Sequence, residues 1–197
     1  MYGFSLLTQD QSHPMKISLL KIRPLLALTF FALPTLGFCA EPIYVEAESG
    51  QGGGSAFAMG DTSDGHILRH IGPKFRRTLP VELKEPLAAG RLFVRYGRAG
   101  GEDEAPALLQ VGIGPDSAGQ LDDSEVTQLE PLILTPSGGW EAWRWVSTPI
   151  PALKAGSYKI FLHFPEKEAA NLDVLALAPA ENNVEVEASD LLFPNLQ

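Results

Sequence analysis

Apolar and polar residues alternate along much of the chain with a period of two, the spacing of strands that bury one face. In Ile43-Tyr44-Val45-Glu46-Ala47-Glu48 the apolar Ile43, Val45 and Ala47 share one face, and Tyr44, Glu46 and Glu48 share the other. Gly50 and then Gly52-Gly53-Gly54 end that segment. Arg91-Leu92-Phe93-Val94-Arg95-Tyr96, bounded by Ala89-Gly90 and Gly97, predicts a strand with Leu92, Val94 and Tyr96 inward. Leu108 to Gly114, Trp143 to Val146, Tyr158 to Phe164 and Leu172 to Leu177 predict four more, with Tyr158, Ile160, Leu162 and Phe164 as a core face. Ser55 to Arg77 is loop-rich with short strands, and the acidic stretch from Asp116 to Glu125 is a surface loop with Asp122-Asp123 solvated. Six or more short strands without a sustained helical period indicate an all-β, antiparallel β-sandwich.

The first forty residues follow a different pattern. After Met15, itself a candidate start, come Lys16, Lys21 and Arg23, then the apolar run Leu25 to Leu33, then Pro34 to Ala40. A basic stretch, an apolar run short of the ~20 residues that span a bilayer, and small residues at the end make a secretory signal over 1–40. Cleavage after Cys39 or after Ala40 fits. Phe38 stands where a lipoprotein signal needs a small residue, which argues against lipidation of Cys39. Cys39 is the only cysteine, so the exported domain contains no disulfide.

Length then limits the rest to one domain, 41–179, followed by a tail over 180–197. In that tail Val184-Glu185-Val186-Glu187-Ala188-Ser189 echoes Val45 to Ser49, as an added edge strand, the truncated start of a second copy, or by chance. The leader carries Asp10 against three basic residues, so its removal takes the net charge from −9 to −11. A surface this acidic repels phosphate backbones and anionic lipids, which excludes nucleic acid as the expected partner and favours a neutral ligand or a cation.

Five segments, in order, resemble the family 6 carbohydrate-binding modules and their family 35 relatives in the galactose-binding-like superfamily. They are Val45-Glu46-Ala47-Glu48-Ser49, Ala89 to Tyr96, Gly138-Gly139-Trp140-Glu141-Ala142-Trp143, Leu153 to Tyr158, and Asn171-Leu172-Asp173. The resemblance covers about residues 43 to 178 and implies a jelly-roll sandwich that binds a polysaccharide or oligosaccharide without cleaving it. It implies a structural calcium on Glu46, Glu48 and Asp173. The residues agree as far as they go: neighbouring carboxylates are costly unless a cation or Lys/Arg neutralises them, and oxygen-only donors suit calcium. The alternative is that Glu46 and Glu48 are the solvated face of an edge strand.

For the ligand, the resemblance implies a loop-edge cleft with two aromatic rings flanking a sugar and an Asn hydrogen-bonding its hydroxyls. Rings suit the apolar C–H face of a sugar, and a few polar groups fix its orientation. Trp140 matches one ring and Asn171 the amide. The second ring departs from the pattern: where the family often has Tyr, Leu68-Arg69-His70-Ile71 offers His70, with Phe75 further on. Trp143 and Trp145 alternate within a strand and read as core; His163 reads as sheet surface.

No nucleophile elbow, phosphate loop, zinc-binding helix or dinucleotide fingerprint occurs in the chain, so catalysis is not expected. The expected protein is an exported monomer working alone or beside a catalytic partner, with no membrane span. Two alternatives stand beside it: a structural or protein-interaction sandwich that has lost sugar binding, and a fragment of a polysaccharide-active enzyme.

Overall fold

The chain divides into two units, Met1–Gly37 and Phe38–Gln197, and every described residue belongs to the second. The computed structural model describes residues 41–72, 74–101, 103–165 and 170–179. The expected leader and the expected tail both lie outside the described residues.

Twelve strands and one 3-10 turn make up the described chain. In order they are β1 (Ile43–Glu46), the turn Ala47–Ser49, β2 (Gln51–Gly52), β3 (Ser55–Ala58), β4 (His66–Arg69), β5 (Phe75–Leu83) and β6 (Gly90–Arg98). Then come β7 (Ala107–Pro115), β8 (Thr127–Gln128), β9 (Leu132–Leu134), β10 (Gly139–Ile150), β11 (Gly156–Phe164) and β12 (Asn171–Pro179). Two antiparallel sheets result. One runs β10-β6-β12-β4-β3 with β1 also on β12; the other runs β2-β5-β11-β7-β8 with β9 also on β7. This is the all-β sandwich that the alternation predicts.

The two inner faces close on one core. Leu92, Val94 and Tyr96 of β6 meet Ile160, Leu162 and Phe164 of β11, as their spacing requires, with Tyr158 packed at the margin. β12 is buried almost end to end because it sits between β6 on one side and β1 and β4 on the other. Its Leu172, Leu175 and Leu177 join the core. Its Ala176 and Ala178 turn the other way and pack with Phe93, Tyr44 and Trp145 in a second, smaller cluster.

That second cluster corrects the reading of the paired tryptophans. Trp143 is opposite Gly97 and Trp145 opposite Arg95, so both stand on the face of the sheet turned away from the core. Trp145 packs edge-on against Phe93, with ring centroids 6.4 Å apart. Trp143 is half-buried beneath the guanidinium of Arg95, 5.2 Å from its centroid. An alternating pattern shows that two residues share a face; it does not show which face.

β5 has no counterpart among the predicted strands. Its alternation is clean, with Phe75, Arg77, Leu79, Val81 and Leu83 buried, but Arg77 stands in the apolar series and Pro80 interrupts it. Pro80 lies on the stretch of β5 that pairs only with β11, beyond the reach of β2 at Arg77 and Thr78, where a missing N–H is tolerated.

Candidate functional site

Two groups of expected site residues lie on the first sheet, one around its carboxylates and one at its loop edge.

β1 ends at Glu46, two residues earlier than alternation alone implies, and Ala47–Ser49 form the 3-10 turn. Buried Arg77 holds this turn in place. Its guanidinium donates to the carbonyls of Ala47, Glu48 and Gly53, at 3.2 Å for Ala47 and 3.0 Å for Gly53. Although Glu48 therefore leaves the strand, its carboxylate still comes together with those of Glu46 and Asp64, with one oxygen from each within 4.8 Å of the others. Asp64 arrives on a loop that is closed by the Met59 N–H donating to the Gly65 carbonyl, 2.8 Å, and by Thr62 donating to the Met59 carbonyl, also 2.8 Å.

The cluster is short of positive charge. Burial first, and then the Asp64 and Glu46 carboxylates, push the Glu48 carboxyl up to about 7. Burial likewise raises Glu46, against a short hydrogen bond from the Ser63 hydroxyl. Glu48 Oε2 is buried with no hydrogen-bond partner among the described residues. Arg77 is nearby, but its donors serve main-chain carbonyls. A buried carboxylate oxygen without a donor, beside two further carboxylates, fits a hard cation held by oxygen donors.

Asp173 is placed otherwise than the resemblance implies. It is fully buried, and Arg95 Nη1 lies 2.5 Å from its Oδ2. The Ser63 N–H and hydroxyl reach its Oδ1 at 3.1 and 3.0 Å. Burial pushes its carboxyl up, against the opposing pull of Ser63 and Arg95. An arginine and a serine satisfy Asp173, and Asp64 takes the third place beside Glu46 and Glu48. Asp64 escaped the sequence reading because it sits in a loop that only the fold brings over the turn.

At the loop edge, β10 and β6 fall out of step. Gly139 pairs with Arg98 and Trp143 with Gly97, so residues 140–142 bulge from the ladder. Trp140 leads that bulge and is 40% exposed. Gly138 enters it at φ +104°, a conformation open to glycine. Ser137 ties the entry to β6: its N–H donates to the Arg98 carbonyl, and its hydroxyl accepts from the Arg98 N–H at 2.8 Å.

The other loop-edge residues divide. Asn171 is only 2% exposed, and its Nδ2 donates to the Trp140 carbonyl at 3.0 Å. His70 is exposed, at φ 56°, just past the end of β4. β4 pairs with β12 at Leu68 and Leu172, so His70 leaves the sheet at the same end as Asn171. Two strands, β6 and β12, separate β4 from β10, three interstrand steps of roughly 14 Å in all. Phe75 is a correction. It is 4% exposed, lies in the core and packs on Phe164 with centroids 5.8 Å apart, so it offers no face to a ligand.

A separate groove of about 540 Å³ lies at the opposite end, where β1 begins and β5 ends. Its lining is Glu41, Pro42, Ile43, Glu82, Lys84, Glu85, Pro86 and Leu87, which includes no aromatic ring. Exposed Trp140 is not part of that lining. No helix among the described residues is long and apolar enough to cross a membrane.

No family model matches the chain, and neither does any curated protein. Solved structures match it in fold. A family 35 carbohydrate-binding module from Cellvibrio japonicus superposes with a TM-score of 0.53 at 14% identity, over 70% of this chain and 93% of the module. A β-1,3-glucan-binding family 6 module from Bacillus halodurans gives 0.50 at 19% identity, over 69% of this chain and 95% of the module. A variant of the exo-β-1,3-galactanase of Phanerochaete chrysosporium, solved with β-1,3-galactotriose, gives 0.53 at 20% identity, over 70% of this chain and 29% of the enzyme. This chain thus spans less than a third of that enzyme, and at these identities the likeness establishes the sandwich fold.

Proposed function

We propose that this protein is an exported, non-catalytic module that binds a polysaccharide or oligosaccharide at the loop edge of its sandwich, with Trp140 as the stacking ring. The exposure of Trp140 carries the reading. Of the other exposed large apolar residues among those described, Phe57 has one ring face taken by the Arg69 guanidinium at 4.5 Å although it is 45% exposed, and Leu108 and Ile133 are aliphatic and paired across β7 and β9. An indole held out on a bulge presents the flat apolar face that a sugar ring can lie on. His70 supplies the opposite flank. Modules of this fold in other proteins bind glycans, which supports the same class of partner here.

The proposal includes a structural calcium held by Glu46, Glu48 and Asp64. Such an ion supplies the missing charge and ties the start of the domain to the β3–β4 loop without a disulfide. The leader supports export, and the module works as a monomer, alone or beside a catalytic partner.

Retention on insoluble polysaccharides, with a glycan array for soluble ligands, tests the reading. Wild-type protein is retained and Trp140→Ala is not. Binding that survives the substitution places the site elsewhere, and new reducing ends from a bound polysaccharide make the protein an enzyme. A second reading has support from the burial of Phe75 and from the commitment of the Asn171 amide to the main chain. Both leave the cleft with fewer ligand contacts than the family pattern implies, as in a sandwich that serves structure or protein interaction. Absence of retention on every glycan favours it.

A further inference from the structure

We infer that Asn171 and Gly97 are positioning residues that hold the Trp140 bulge in its presenting conformation, and that Asn171 acts on a bound sugar through Trp140 instead of by touching it. The inference rests on the reading of Trp140 as the stacking ring.

The bulge creates the need. Residues 140–142 have no partner in the register between β10 and β6, so regular pairing is interrupted at Trp140. A main-chain oxygen drawn in against a sheet requires a donor. Asn171 supplies one from β12, one strand beyond β6, at 3.0 Å. Gly97 lies between the two, paired with Trp143 on one side and Asn171 on the other. A Cβ at Gly97 would stand 2.4 Å from the Trp140 oxygen and 3.3 Å from Cζ3 of Trp143. The missing side chain is therefore the space in which the bulge rests. Asn171 is 2% exposed, which suits an anchor under the bulge and not a group reaching into solvent for a hydroxyl.

The two roles predict different things for one substitution. Asn171→Asp keeps the shape of the side chain and sets an acceptor against the Trp140 carbonyl. Losing that hydrogen bond lowers affinity for β-1,3-galactotriose or soluble β-1,3-glucan by about tenfold if the bulge shifts. In a Trp140→Ala background the same change has no further effect, whereas a direct sugar contact lowers affinity by the same factor in both backgrounds.

A second readout needs no ligand. Protein labelled with 5-fluorotryptophan gives three fluorine resonances, and Trp140→Phe identifies the one from residue 140. Asn171→Asp moves that resonance and leaves the Trp145 resonance in place, which also shows that the fold persists. Gly97→Ala, whose Cβ presses on the same carbonyl, moves it too and serves if the Asn171 variant does not fold. An unmoved Trp140 resonance in both variants overturns the inference, whether or not affinity falls. If neither glycan binds wild-type protein, the sugar-binding reading with these ligands fails while the resonances still decide whether the anchor exists.

Discussion

The carboxylate cluster and the loop edge belong to the same sheet but are held in opposite ways. Glu46 and Glu48 sit on a turn stapled from beneath by buried Arg77, with their charges left partly unanswered. Trp140 stands on a bulge, Asn171 giving it a single side-chain hydrogen bond at 3.0 Å, and presents an uncharged ring to water. A charge cluster must be rigid because like charges separate when they are free to, and crowding is tolerable only where a cation completes it. A stacking ring needs the reverse: exposure, with enough support to limit the conformations it must give up on binding.

Removing the staple is expected to have the largest effect. Arg77→Ala takes the donors from the buried Ala47 carbonyl and from the part-buried carbonyls of Glu48 and Gly53, and should cost roughly 3 kcal/mol in denaturant unfolding. A cost near zero would mean that the turn holds without it. Trp140→Ala follows, with a loss of about 2 kcal/mol in glycan affinity, some thirtyfold by titration calorimetry, and no change in thermal stability. If stability falls as well, the indole is part of the structure and the contrast between the two regions weakens.

Calcium sharpens the comparison from the other side. Chelation should lower the melting temperature by about 5 °C, and Glu48→Gln should remove that difference. An equal response to chelator in wild type and variant would discard the cluster as the site. Acid should act in the opposite sense on the metal-free chain. The Glu48 carboxyl is held near 7 in the fold against an ordinary 4.5, and Glu46 and Asp173 shift in the same direction. Their protonated forms are therefore the stabilised ones, and for Glu48 the contribution is complete below about pH 4.5 and lost as pH rises toward about 7. Saturating calcium should flatten or reverse this dependence, and a metal-free melt that rises across the same window would contradict it. His70→Ala is the smallest expected change, a loss of affinity of less than about fivefold, because imidazole offers less stacking surface than indole.

Much of this is legible in the sequence, for identifiable reasons. The strand pattern from Leu92 to Tyr96 and from Tyr158 to Phe164 reads directly, because burial of one face imposes a period of two. Glu46 and Glu48 read as a charge problem because crowding between sequence neighbours survives even when the local geometry changes from strand to 3-10 turn. Phe75 failed as a ring because an aromatic beside a loop looks the same in sequence whether it faces a sugar or Phe164. Arg77 gives no sequence signal as a staple, because a buried arginine is rare and its partners are carbonyls, which no sequence pattern displays.

Local order, then, was written in the chain: most of the longer strands, the glycine breaks, the paired acids and the indole that directly follows Gly138-Gly139. The folded arrangement alone chose partners across long intervals. It set Asp64 beside Glu48, gave Asp173 to Arg95, and placed Asn171 beneath the Trp140 carbonyl. Periodicity reports which residues share a face, since neighbours along a strand are tied by geometry. Which face turns inward, and which distant group meets a given oxygen or carboxylate, depends on how two sheets pack and where a strand slips its register, and those follow from the summed contacts of the whole domain.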